Sequence, residues 1–218
     1  MPRLSRAESQ ARTRELLLAT AKACFLRDGF AATSLEGIAE TAGYSKGAVY
    51  SNFRNKDELC LAVLDLVRQE HAASLAFAMV GTTTLDQRIA ALESWAEGHI
   101  GDRDWTALEV EFAVHAGRDP VLANELTRRH REFRLGMTAL VAAQANEFGL
   151  ELPLPAEDVA MAVLSLGIGL GVQRAIDSSL SVRTLGKLVR LFATGRTSDL
   201  DCAATPPLPA TVRAKKRK

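Results

Sequence analysis

Apolar residues recur at helical spacing along almost the whole chain, and no stretch alternates apolar and polar residues as a half-buried strand would. This periodicity constrains the fold most strongly, because the apolar stripe of each helix has to be covered by other helices. The N-terminal stretch shows it at positions i, i+4, i+7 and i+8, occupied by Leu17, Ala21, Cys24 and Phe25. We therefore predict an all-α fold of about nine helices, the first of which ends at Gly29.

The next stretch predicts two short helices and the start of a longer one. Thr33-x-x-Glu36 has the spacing of a capping box, which would begin the first short helix. Gly43 breaks the pattern between the two short helices, and Asn55 is placed to cap the longer one. The apolar residues predicted to face inward are Leu35, Ile38, Ala39 and Ala42, followed by Val49 and Phe53.

Longer helices follow, and the chain ends in a different composition. The periodicity places them at about 85–100, 104–116, 120–148, 156–177 and 182–194. Pro120 suits the first turn of its helix, because its missing N–H would be unpaired there in any case. Residues 196–218 contain three prolines and finish in Ala-Lys-Lys-Arg-Lys, so we predict a disordered basic tail.

Composition and spacing exclude several classes of protein. Cys24, Cys60 and Cys202 are far apart and in no CxxC spacing, which argues against disulfides or a zinc ribbon and favours a reducing cytoplasm. No uninterrupted apolar run is long enough to span a membrane, and the charged N-terminus is unlike a signal peptide. The histidines show no HxxxH or HExxH spacing and no catalytic motif is present, so we expect no metal, no cofactor and no enzymatic activity.

The net charge of +1 conceals an uneven distribution. Residues 1–60 contain nine basic and seven acidic residues, residues 61–195 contain 12 and 17, and residues 196–218 contain six and two. The chain therefore has a mildly basic head, an acidic body and a basic tail.

The segment from Thr33 to Leu59 carries the functional signal. Two short helices joined at a glycine and followed by a long helix are typical of a helix-turn-helix. Between Lys46 and Lys56 there are three basic residues and no acid. The exposed residues of the second short helix are small or able to form hydrogen bonds, which suits approach to a major groove.

This segment resembles the TetR-type transcriptional regulators. The matching positions are Thr33-Ser34, Ile38-Ala39, Ala42-Gly43, Ser45-Lys46-Gly47, Val49-Tyr50, Phe53, Lys56 and Glu58-Leu59. The resemblance implies a DNA-binding domain over 12–72, with its helix-turn-helix at about 34–53, and a helical ligand-binding and dimerisation domain over 73–195.

By this resemblance, residues 46–53 form the recognition helix, Tyr50 and Lys56 bind phosphates, and Thr33 or Ser34 caps the preceding helix and touches a phosphate. Tyr50 could instead be a half-buried aromatic, and Lys56 a plain charge at a helix terminus. Which side chains of the recognition helix reach bases stays open. The candidate DNA-binding residues are Thr33, Ser34, Lys46, Gly47, Ala48, Tyr50, Ser51, Asn52 and Lys56.

In the body, Gly167, Gly169 and Gly171 lie in an apolar helical run without the spacing of a nucleotide-binding loop. They indicate close helix packing, and the resemblance places the 156–177 and 182–194 helices in a homodimer interface. Aromatic and amphipathic side chains suggest a pocket for a small molecule, although each of them could equally be core. The candidates are Trp95, His99, Trp105, Phe112, His115, Phe133, Met137 and Gln173.

The sequence therefore predicts a cytoplasmic, homodimeric regulator that binds a palindromic operator in double-stranded DNA and is released by a small-molecule effector. The alternative is a DNA-binding protein of the same fold that engages a protein partner and responds to no small molecule.

Overall fold

The computed structural model describes residues 5–195, and this part of the chain consists of nine α-helices without strands. The helices are α1 (Arg6–Ala32), α2 (Leu35–Ala42), α3 (Lys46–Tyr50), α4 (Lys56–Ala78), α5 (Leu85–His99), α6 (Arg103–Ala116), α7 (Pro120–Phe148), α8 (Ala156–Ile176) and α9 (Arg183–Thr194). The all-α prediction is confirmed, and the longer helices begin and end within about two residues of their predicted positions. The predicted tail, 196–218, lies outside the described residues.

The first helix bends sharply where the sequence predicted that it would end. Gly29 has φ +81° and ψ 173°, a backbone conformation that is readily available only to glycine, and helical structure then continues to Ala32. Leu17, Ala21 and Phe25 are buried on the predicted face. The bend turns Phe30 back into the same core, where its ring packs against Phe25.

The predicted capping box at Thr33 is wrong by one residue. Ser34 is the N-cap of α2, because its hydroxyl accepts a hydrogen bond from Gly37 N at 3.0 Å. Thr33 is buried and donates its hydroxyl hydrogen to the carbonyl oxygen of Gly29 at 2.7 Å. Its side chain therefore closes the end of α1.

The main hydrophobic core joins the head to the body. It contains buried residues of α1 to α4 together with Leu108, Phe112 and Ala116 of α6 and Leu122 of α7. The predicted domain boundary between residues 72 and 73 falls within the continuous helix α4. The N-terminal helices are thus packed directly on α6.

In the body, α8 packs against α6, α7 and α9, and α9 packs against α5. Gly186 allows the last of these contacts, because a Cβ there would lie 1.8 Å from the Glu93 carboxylate. Among the described residues, only α8 is long and apolar enough to cross a membrane by length and composition, with a mean hydropathy of 1.7. That test is weak evidence for a span, because a packed helix of a soluble protein can also pass it.

Candidate functional site

The turn between α2 and α3 is fixed by backbone hydrogen bonds. Gly43 adopts the left-handed conformation, with φ 71° and ψ 26°, and ends α2. Tyr44 N then donates to the Ala39 carbonyl at 2.9 Å. Ser45 begins α3, because its hydroxyl accepts from Ala48 N at 3.2 Å. These contacts hold the two helices as a helix-turn-helix.

The recognition helix is shorter than predicted. It spans Lys46–Tyr50, and the chain then passes through a turn to Phe53. Val49 and Phe53 are buried and anchor the two ends of this segment in the core of the head. The opposite side is open to solvent, with Lys46, Gly47, Tyr50 and Ser51 exposed.

Lys46 and Tyr50 present a basic and hydroxyl-bearing surface. Lys46 forms an ion pair with Glu36, and this contact raises the pKa of Lys46 and lowers that of Glu36. Both side chains are more than half exposed, so a phosphate can compete for the ammonium group. Tyr50 is 46% exposed, and its ring lies 5.7 Å from the Lys46 ammonium.

Ser51 and Asn52 form hydrogen bonds within the recognition segment. Both donate from their side chains to the Ala48 carbonyl, at 2.9 Å from Ser51 and 2.8 Å from Asn52. Ala48 and Asn52 are half-buried, whereas Ser34 is exposed as the cap of α2. The structure thus brings most predicted DNA-binding residues to one surface.

Lys56 and Thr33 do not present their side chains to that surface. The Lys56 ammonium donates to the carbonyl oxygens of Phe30 at 2.9 Å and Thr33 at 3.1 Å. It also lies 4.2 Å from the centre of the Phe30 ring. Because the last carbonyls of a helix carry partial negative charge, Lys56 caps the end of α1. Both side chains thus make contacts within the head, and the phosphate contacts expected for Lys56 and Thr33 stay predictions.

Arg14 also lies beside the recognition helix, and it was not among the residues predicted from the sequence. Its guanidinium donates to the carbonyl oxygen of Asn52 at 2.6 Å and lies 4.1 Å from the centre of the Phe53 ring. With Gln10, Ser51 and Asn52 it lines a groove beside the recognition helix. The available signal was the spacing of Arg6, Gln10 and Arg14, which repeats every four residues before the apolar face of α1 begins.

Residues 17–63 match the family model described as bacterial regulatory proteins, tetR family. Over 71 residues the chain is 41% identical to the HTH-type transcriptional regulator TtgR of Pseudomonas putida. This alignment covers 33% of each chain. Over 131 residues it is 29% identical to the HTH-type transcriptional repressor AcnR of Corynebacterium diphtheriae, covering 60% of this chain and 64% of AcnR. The match to the TetR family therefore covers the helices that carry the helix-turn-helix.

These alignments leave much of each relative unmatched, since the chain spans about a third of the length of TtgR and less than two thirds of AcnR. Similarity over the whole chain comes from structure. The SmeT–triclosan complex superposes with a TM-score of 0.57 and 22% identity, covering 95% of this chain and 100% of SmeT. At that level of identity the comparison establishes a shared fold.

The predicted ligand-binding residues do not form one pocket. Trp95, His99 and Trp105 lie together with His71 of α4, which the sequence interpretation missed. The Trp95 and His99 rings stack with centres 4.7 Å apart, and Nε1 of Trp95 is buried without a hydrogen-bond partner. Burial lowers the pKa of His71, and the neighbouring His99 lowers it further.

The other candidates lie in four separate places. Phe112 is fully buried against Phe30, and His115 Nε2 contacts Asp57 Oδ1 at 2.8 Å, so both belong to the junction between head and body. Phe133 lies 5.9 Å from the guanidinium of Arg68, and Gln173 is exposed on α8. Met137 lines a cavity of about 130 Å³ between α4, α5, α7, α8 and α9, which we term the body cavity.

The described residues contain no group of three or more His, Cys, Asp or Glu side chains that could hold a metal ion. Cys24 and Cys60 are both buried, and burial raises the pKa of the Cys60 thiol far above its usual range.

Proposed function

We propose that this chain is a sequence-specific DNA-binding transcriptional regulator, most simply a repressor. The observation that supports this proposal best is the exposed side of the segment that begins with α3. Val49 and Phe53 are buried, so Lys46, Tyr50 and Ser51 point outward. A lysine, a tyrosine hydroxyl and a small glycine-containing helix suit contacts to phosphates and close approach to base edges. The names of TtgR and AcnR, a regulator and a repressor, support this assignment.

We further propose that the protein acts in the cytoplasm as a homodimer through α8 and α9. An exposed apolar stripe on α8, at helical spacing, supports this assembly: Met161, Ile168, Val172 and Ile176. Gly169 lies beside the stripe, and apart from its chain neighbours and the adjacent backbone of α8 no atom of the protomer comes within 4 Å of where its Cβ would be. Binding to a palindromic operator in double-stranded DNA requires that the two-fold axis of this dimer places the two recognition helices about 34–36 Å apart.

Control by a small-molecule effector is the third part of the proposal. The body cavity supports it, as does the structural neighbour SmeT, whose complex contains triclosan. In one form of the dimer the recognition helices would reach successive major grooves, and in another form they would not. The effector would release the protein from DNA if it binds the second form more tightly than the first.

The first experiment measures binding to the DNA that flanks the chain's own gene, using fluorescence anisotropy at several salt concentrations. Tyr50→Phe should weaken binding to all sequences by roughly tenfold, because a hydrogen bond to a charged phosphate is worth about 1.5–3 kcal/mol. Tyr44→Phe is the matched control, since Tyr44 is half-buried against the core of the head. Equal affinities for the wild type and both variants would contradict the proposed role of Tyr50.

A second measurement distinguishes control by a small-molecule effector from the alternative, control by a protein partner. Effector control predicts that a bound small molecule lowers the affinity for the flanking DNA. If small molecules bind the body but leave that affinity unchanged, control by a protein partner becomes the better explanation.

A further inference from the structure

The recognition segment, residues 46–53, gains little stability from its own helix. Helix α3 within it has five residues, and a helix of that length is marginal without contacts to the rest of the protein. The carbonyl oxygens of Gly47, Ala48 and Val49 accept hydrogen bonds from within the segment. A helix supplies no donors to the carbonyl groups that follow its last turn. The end of the segment therefore has to be held by another part of the chain.

Arg14 of α1 contacts this end in two ways. Its Nη1 donates a hydrogen bond to the carbonyl oxygen of Asn52 at 2.6 Å. Its guanidinium carbon lies 4.1 Å from the centre of the Phe53 ring, which is close enough for a cation–π contact. The planar guanidinium can make both contacts at once, because it donates along its edge and stacks through its face.

Both sides of this contact are anchored in the core of the head. Phe53 is buried, and Leu17, which neighbours Arg14 one turn later on α1, is fully buried in the same core. Before Arg14, residues 6–12 of α1 are exposed. Arg14 therefore links the buried part of α1 directly to the end of the recognition segment.

This link supplies direction, which the apolar anchors do not. Burial of Val49 and Phe53 holds the segment on the head, but the hydrophobic effect is non-directional. Hydrogen bonds restrict both distance and angle. At the start of the segment, the Ser45 hydroxyl accepts from Ala48 N. At its end, the directional contact comes from Arg14. With both ends fixed, the exposed side chains between them keep one orientation.

We infer that Arg14 is a positioning residue for sequence recognition, which holds the end of the recognition segment in the orientation that contacts to base edges need. It acts through the segment and not by a DNA contact of its own. Discrimination between bases depends on the geometry of hydrogen bonds in the groove, whereas attraction to phosphates depends mainly on charge. The role in recognition rests on the proposed function, whereas the contact between Arg14 and the segment does not.

The test compares Arg14→Met with Arg12→Met in the full chain. Methionine has an unbranched side chain that donates no hydrogen bond. Arg12 is an exposed arginine on the same helix, so the control removes an equal charge. Arg14→Lys keeps the charge and a donor but has no planar group to stack on Phe53, so it should change each readout in the same direction by a smaller amount. Circular dichroism checks folding, and Arg14→Lys decides the matter if Arg14→Met does not fold.

Hydrogen exchange measures the contact without DNA. The amides of Ser51, Asn52 and Phe53 donate hydrogen bonds within the segment, so their exchange reports its local opening. Loss of a hydrogen bond from a charged group should raise their exchange rates by roughly tenfold in Arg14→Met. Arg12→Met should exchange like the wild type. Unchanged rates in a folded Arg14 variant would overturn the inference.

Fluorescence anisotropy then tests recognition, using the flanking DNA and a duplex of the same composition in scrambled order. Arg14→Met should weaken binding to the flanking DNA by roughly tenfold more than Arg12→Met does, and both variants should bind the scrambled duplex equally. The dependence of log affinity on log salt concentration should be the same for both variants. A slope smaller by about one in Arg14→Met would show that Arg14 itself binds a phosphate, which would overturn the inference. An equal loss on both duplexes would also overturn it.

The two measurements separate this inference from the proposed function. If the wild type binds the two duplexes alike, the proposed function fails, and with it the role in recognition, while hydrogen exchange still decides whether Arg14 holds the segment. If exchange rises in Arg14→Met but its affinity for the flanking DNA equals that of Arg12→Met, Arg14 stabilises the fold without positioning the segment. The inference is then wrong although the proposed function stands.

Discussion

The substitution Glu111→Gln tests the contact that joins the head to α6. The Glu111 carboxylate accepts hydrogen bonds from Phe30 N and Ala31 N, each at 2.8 Å, just after the bend at Gly29. Those two N–H groups directly follow the non-helical Gly29 in α1, where the regular backbone pattern of the helix is interrupted. Glu111 therefore stabilises both the bend and the seat of α1 on α6.

The magnitude follows from the chemistry of these bonds. A hydrogen bond to a charged group contributes about 1.5–3 kcal/mol, and the lower part of that range applies because Glu111 is partly exposed. Glutamine keeps one acceptor but directs an NH₂ group at the second N–H, so one bond is lost and the other loses its charge. We expect a loss of about 2 kcal/mol, which corresponds to a fall in Tm of about 4–8 °C for a chain of this size.

Urea unfolding followed by circular dichroism gives the free energy of unfolding directly. Glu15→Gln is the matched control, because Glu15 is an exposed glutamate on α1. Should Glu111→Gln lie within about 0.5 kcal/mol of this control, the carboxylate would contribute no more than an ordinary surface group. The proposed contribution of the Glu111 carboxylate to the junction between α1 and α6 would then be refuted.

Three further outcomes are expected. Lys56→Met should lower the free energy of unfolding by about 1–3 kcal/mol, because the ammonium caps α1, and should leave the salt dependence of DNA binding unchanged. Gly169→Leu should give folded monomers in sedimentation, whereas Gly98→Leu, an equally open glycine on α5, should remain dimeric. His71→Phe should reduce the stability lost between pH 7.5 and 5.5 in urea titrations. The pKa of His71 is lowered by burial and by His99, so the unfolded chain binds its proton first as the pH falls below about 6.5 and stability declines.

Helix boundaries were predictable because their signals are local. Pro120 begins α7 after Asp119, whose carboxylate accepts from Val121 N at 2.8 Å. Asn55 caps α4 by accepting from Glu58 N, also at 2.8 Å. The miss at Thr33 has the same origin, since two adjacent hydroxyl residues both fit a cap and only tertiary burial of Thr33 selects Ser34.

The candidate sites were less predictable because they depend on which helices meet. Trp95 and His99 lie four residues apart on one helix and so share a face of it, whereas His71 comes from α4 and reaches them only through tertiary packing. Phe112 has the same helical periodicity as a pocket residue but faces Phe30. The periodicity of apolar residues shows which face of a helix is buried, but it does not show which other helix packs against that face.

Helix α4 is the element through which the cavity and the DNA-binding surface can influence each other. Its 23 residues correspond to about 34 Å of helix, from Lys56 in the head to Ala78, and Leu75 in its last turns lines the body cavity. Between these ends, Arg68 contacts Glu109 of α6 at 2.8 Å, and Asp65 forms an ion pair with Arg129 of α7. These ion pairs hold the middle of the helix, so a ligand that displaces its far end would turn it about that point. The recognition helix would then move in the opposite direction, and in the proposed dimer a small displacement in both protomers would change the spacing between the two recognition helices.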